Sequence, residues 1–82
     1  MSENCFVLIR YDEEMKRALV DQLKLMHNID EIKELDDTQE IIVKVIAESK
    51  DHLLEFIAMK IQKMVCVKTV QNLGANINKN FD

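Results

Sequence analysis

Eighty-two residues make one small domain spanning 1–82, with no room for a second core. The 15 acidic and 11 basic side chains leave a formal charge of −4, which argues against direct nucleic-acid binding, since that needs a basic face. No uncharged apolar run outlasts residues 5–9, and the opening Met-Ser-Glu-Asn lacks the basic head of a secretion signal, so the expectation is a soluble cytoplasmic protein without membrane contact.

Proline is absent and the single glycine is Gly74, so periodicity has to define the elements. Residues 5–11 (Cys-Phe-Val-Leu-Ile-Arg-Tyr) are apolar on both faces and suit a buried strand. Asp12, Glu13 and Glu14 then place acids where a helix start favours them. Met15, Leu19, Leu23 and Met26 recur at helical spacing, and His27-Asn28 closes that helix, with Asn28 suited to a left-handed cap. Residues 29–35 mix Ile and Leu with charges, as an exposed edge strand does. Asp36 to Gln39 form a polar turn into a second doubly apolar strand, residues 40–47. Ser49 caps a second helix whose apolar positions are Leu53, Phe56, Ile57, Met59, Ile61 and Met64. Val65, Val67 and Thr69 begin a last strand ending near Leu73-Gly74, and residues 75–82 read as a flexible tail beyond a core of residues 5–73.

A faint repeat runs through this order. Leu19, Leu23, Met26, Ile29, Ile32 and Leu35 return as Ile57, Ile61, Met64, Val67, Val70 and Leu73, each 38 positions on (57 − 19). Two β-α-β units in one short chain give β-α-β-β-α-β, an α+β ferredoxin-like fold: a four-stranded antiparallel sheet with both helices on one face. The doubly apolar strands belong in its centre. The face without helices is also apolar, and a domain this size buries only roughly 60% of its surface, so a second copy is expected to close it as a dimeric α/β barrel.

Four segments then carry a resemblance: Phe-Val-Leu-Ile-Arg at 6–10, Ile-Asp-Glu-Ile at 29–32, Glu-Ile-Ile-Val-Lys-Val at 40–45 and Val-Lys-Thr-Val at 67–70. Together they are similar to the effector-binding and oligomerisation (RAM) domain of Lrp/AsnC transcription regulators, over residues 5–73. The resemblance implies a stand-alone form without the helix-turn-helix domain that precedes this module in full regulators. It further implies homo-oligomers, a small effector such as an amino acid bound between subunits, and full-length Lrp/AsnC regulators as partners. The effector loop of that family reads glycine, an acidic or polar residue, an aromatic, then aspartate. Asp37, Thr38, Gln39 and Glu40 stand there in this chain, so the glycine and the aromatic are replaced, and Val65-Cys66-Val67 stands where the family has Pro-Gly-Val. The same four turn residues also have an ordinary reading, as side chains that bond their own backbone.

Other chemistry is less well supplied. Five Met, two Cys and two His offer soft ligands suited to copper, although no paired Cys or His motif sets a zinc site. The topology brings Cys5, Met26, His27 and His52 to one end of the sheet and sends Cys66 to the other, which allows a metal site from the first four and excludes a disulfide between the cysteines. Each of these residues also has a structural reading, as core filler or solvated helix end. Nothing resembles a nucleophile beside an oriented base, so an enzyme is not expected. RNA-binding relatives of this topology need aromatic pairs on the central strands, and residues 41–46 contain none. The expectation is a non-enzymatic regulatory module binding a small effector at a subunit interface, with a copper-binding protein and a ligand-free assembly adaptor as alternatives.

Overall fold

The structure, a computed structural model, describes residues 2–75 apart from the side chain of Asp36. Strand β1 (Glu3–Tyr11) leads through a 3-10 turn (Glu13–Met15) into helix α1 (Lys16–Lys24). Strand β2 (Ile29–Leu35), a second 3-10 turn (Asp36–Thr38) and strand β3 (Glu40–Ala47) follow. Helix α2 (Lys50–Phe56) runs on into a π turn (Ile57–Ile61), and strand β4 (Val67–Gly74) ends the sheet. The strands lie in the order β2-β3-β1-β4, and every neighbouring pair is antiparallel. This is the expected ferredoxin-like arrangement, with the doubly apolar β1 and β3 at the centre and the charged β2 at an edge.

The period-2 alternation of the strands sets the two faces. Cys5, Val7, Ile9 and Tyr11 of β1 and Ile41, Val43 and Val45 of β3 point toward the helices and are buried there. Leu19, Val20 and Leu23 of α1 and Leu53, Ile57 and Ile61 of the second helical segment close over them. Fully burying a side chain of this kind contributes about 1.5–3 kcal/mol, so these facing positions dominate stability. Ser49 caps α2 as expected: its Oγ accepts the backbone N–H of His52 at 3.2 Å.

The 38-residue repeat is structural. After α1, Met26 N–H donates to Leu23 O and Ile29 N–H to Met26 O; after the π turn, Met64 N–H donates to Ile61 O and Val67 N–H to Met64 O. Met26, Ile29 and Ile32, and their counterparts Met64, Val67 and Val70, all pack against the core from partly buried positions.

Three local expectations need correction. Asn28 takes no left-handed cap, because the one non-glycine residue with positive φ among those described is Gln39 (φ 58°). Asn28 instead ties the turn to β3: its Nδ2 donates to Ile46 O at 2.7 Å, and its own carbonyl accepts Ile46 N–H at 2.8 Å. Met59 is not a core residue but 54% exposed, since it lies two positions from both Ile57 and Ile61 and points across the helix from them. Val65 does not open β4; it sits in the turn before the strand, 94% exposed. The expected tail lies outside the described residues except for Ala75.

The face away from the helices is arranged in rows by strand pairing: Leu35, Glu40, Arg10 and Thr69; Lys33, Ile42, Leu8 and Gln71; Glu31, Lys44, Phe6 and Gly74. Phe6 and Ile42 on the central strands are buried, and Leu8 and Ile46 half-buried. Charges ring and interrupt this apolar strip, with Glu40 held by Arg10 at 3.5 Å and Lys44 by Asp30 at 3.7 Å. The face is therefore more mixed than the run of apolar residues in β1 and β3 suggested. Among the described residues no layer covers it.

Candidate functional site

The topology separates the two candidate regions to opposite ends of the sheet. At one end, where β2 turns into β3, stand Asp37, Thr38, Gln39 and Glu40. β4 begins at the same end, because Glu40 pairs with Arg10 and Arg10 with Thr69. Thr38 Oγ1 donates to Leu35 O at 3.3 Å, which closes the 3-10 turn. Gln39 then adopts φ 58°, the left-handed conformation that brings the chain back into β3. For a residue with a Cβ this costs on the order of 1–2 kcal/mol. The replaced glycine of the family loop, at Asp37, is thus not where this turn needs conformational freedom.

Two hollows flank the turn and share Thr38. One, of about 540 Å³, is lined by Glu34, Leu35, Asp37, Thr38 and Glu40. The other, of about 160 Å³, is lined by Arg10, Tyr11, Thr38, Gln39 and Lys68. The first is acid-lined and the second carries two cations, with Lys68 also meeting Asp12 at 3.3 Å. All four expected ligand residues line one or other hollow. Arg10 and Lys68 were not expected; antiparallel pairing of residue 10 with residue 40 was the signal that could have placed Arg10 beside the turn.

At the opposite end, His27 and His52 line one open hollow of about 460 Å³ together with Asn28 and Glu48. Both imidazoles are exposed. Met26 is half-buried against the core. Cys5 lies beneath the helices, where burial pushes its thiol above the ordinary range and so keeps it protonated. A metal-ligating cysteine must be a thiolate, so burial works against that role. Among the described residues no three His, Cys, Asp or Glu side chains are grouped to hold a metal ion. Cys66, beside the Tyr11 end of the sheet, is buried and free, as is Cys5.

No protein-family model matches the chain, and no curated protein matches it. Solved structures do. FFRP-DM1 superposes with a TM-score of 0.83 at 25% identity, covering 93% of this chain and 100% of its own. The hypothetical protein PHS023 from Pyrococcus horikoshii gives 0.80 at 25% identity, over 94% of this chain and 92% of its own. The E. coli Tat proofreading chaperone NapD gives 0.80 at 16% identity, over 99% of this chain and 84% of its own, and shows a shared fold alone. No helix among the described residues is long and apolar enough to cross a membrane. The chain is a ferredoxin-like domain of the same architecture as FFRP-DM1 and PHS023, along nearly its whole length.

Proposed function

We propose that the chain is a non-enzymatic regulatory module of the Lrp/AsnC effector-domain type, which binds a small zwitterion such as an amino acid at the β2–β3 turn where subunits meet. Binding alters its assembly, or its pairing with DNA-binding relatives. The observation that carries this reading is the pair of oppositely charged hollows joined at Thr38. A free amino acid presents an ammonium and a carboxylate on one carbon. Asp37 and Glu34 suit the first and Arg10 and Lys68 the second. Neither hollow is deep in one chain, and a second subunit against this end would exclude water and strengthen both contacts. The resemblance of four segments to the RAM domain and the likeness to FFRP-DM1 support the same reading.

Thermal denaturation with a panel of free amino acids tests it. A true ligand at a hundred times its dissociation constant stabilises by about 2.7 kcal/mol. The expected outcome is a raised melting temperature with at least one amino acid, lost in Arg10→Ala and in Asp37→Asn. Silence across the amino acids would contradict the proposal and favour the assembly adaptor. The two histidines in one hollow motivate a second arm with copper, zinc and nickel. Stabilisation by copper alone, abolished in His27→Ala and His52→Ala, would replace the effector reading with the metal reading built on His27, His52, Met26 and Cys5.

A further inference from the structure

Arg10 and Lys68 reach the smaller hollow at the β2–β3 turn by different routes. Arg10 follows from regular pairing, opposite Glu40 on β3 and Thr69 on β4. Lys68 does not. Thr69 pairs with Arg10 and Val67 with Tyr11, so Lys68 is the extra residue of a β-bulge. In unbroken pairing Lys68 would stand opposite Tyr11, a buried core residue. The bulge gives that place to Val67, which packs on the core, and Lys68 lines the hollow instead. Re-aiming a side chain in this way is a common use of a bulge.

Each cation is also held by a carboxylate that does not itself line that hollow, and the two are not held alike. Glu40 meets Arg10 at 3.5 Å from a side chain only 17% exposed, at a position fixed by strand pairing. Asp12 meets Lys68 at 3.3 Å from a side chain 61% exposed, and it lies past the end of β1. Asp12 is also the N-cap of the 3-10 turn, where an aspartate ordinarily accepts a backbone N–H, yet its side chain makes no cap bond. The carboxylate suited to close this turn reaches to Lys68 instead. An exposed pair of this kind is weak, so a competing carboxylate can displace one partner.

We propose that Asp12 is an internal competitor for the ligand carboxylate: it holds Lys68 until the carboxylate of an amino acid takes its place, and then turns back to cap the 3-10 turn. This role rests on the effector reading of the β2–β3 turn and adds its regulation. Asp12 sets the affinity and links occupancy of the hollow to the turn that starts α1, while Arg10 stays anchored by Glu40.

Melting temperatures over a concentration series of each free amino acid, which yield the dissociation constant, test it. The proteins are the native chain, Asp12→Asn, Lys68→Gln and the double variant. Asparagine caps as well as aspartate, so Asp12→Asn removes the competing charge and leaves the turn its cap. Asp12→Asn is expected to bind the stabilising amino acid about two- to fivefold more tightly than the native chain, the range of a weak exposed pair. Lys68→Gln is expected to bind it more weakly, and adding Asp12→Asn to Lys68→Gln to change nothing further, because both act through one contact. Glu13→Gln removes the charge next in sequence, which does not line this hollow, and is expected to stay near the native affinity. Binding that Asp12→Asn leaves unchanged or weakens would overturn the role of Asp12 while leaving the effector reading standing. So would a gain that Glu13→Gln reproduces or that persists in full without Lys68. Stabilisation of neither the native chain nor Asp12→Asn by any amino acid would overturn both.

Discussion

At the scale of single residues, Gln39 concentrates the backbone strain of the β2–β3 turn. Its φ of 58° is natural to glycine, yet the chain keeps a side chain there, beside the cation-lined hollow. Strain of this kind tends to persist where the surrounding site uses it. Gln39→Gly should relieve roughly 1 kcal/mol net, after the extra freedom of glycine in the unfolded chain is set against the relief. For a domain of this size that raises the melting temperature by roughly 4–8 °C, whereas Gln39→Val should lower it, because a β-branched residue resists positive φ most. A neutral or destabilising Gln39→Gly would mean that the turn is not strained as described. The surface ion pairs, Lys16–Glu34 at 3.0 Å among them, are at least partly solvated and contribute little by comparison.

At the scale of elements, the 38-residue repeat makes equivalent positions comparable. Leu23 and Ile61 are each fully buried at the end of their helical segment and each accept the N–H that starts the turn into the next strand. Leu23→Ala and Ile61→Ala should therefore destabilise by similar amounts, about 2–5 kcal/mol, measured by urea denaturation; a gap of several kcal/mol between them would show that the halves are not equivalent. Much of this level was legible in the sequence, because alternation and helical spacing express burial directly: β2 and β3 begin and end where the pattern places them. The π turn was not legible, since it rests on a backbone bond, Gln62 N–H to Ile57 O, while the apolar spacing of Leu53, Ile57 and Ile61 remains that of an α-helix. Nor was the partner of Asn28, which lies 18 residues away in sequence and is met only once β2 and β3 are paired. For the candidate site, the turn residues could be read from their polarity, but Arg10 and Lys68 come from two other strands and converge only in the folded sheet.

At the scale of the whole molecule, two central strands that are apolar on both faces are covered by helices on one face only. Phe6, Leu8, Ile42 and Ile46 occupy the other, interrupted by Lys44 and bordered by Arg10, Glu40 and Asp30, whose mixed signs let a sister copy approach in more than one orientation without net repulsion. Closure of that face by a second copy is the step on which the proposed regulatory reading depends, because that reading places the ligand where subunits meet. Light scattering on the purified native chain at micromolar concentration tests this most directly. A mass of two chains or more, falling toward one in Leu8→Lys, is the expected result; a native chain that stays at the 9.6 kDa of one copy at every concentration would contradict it.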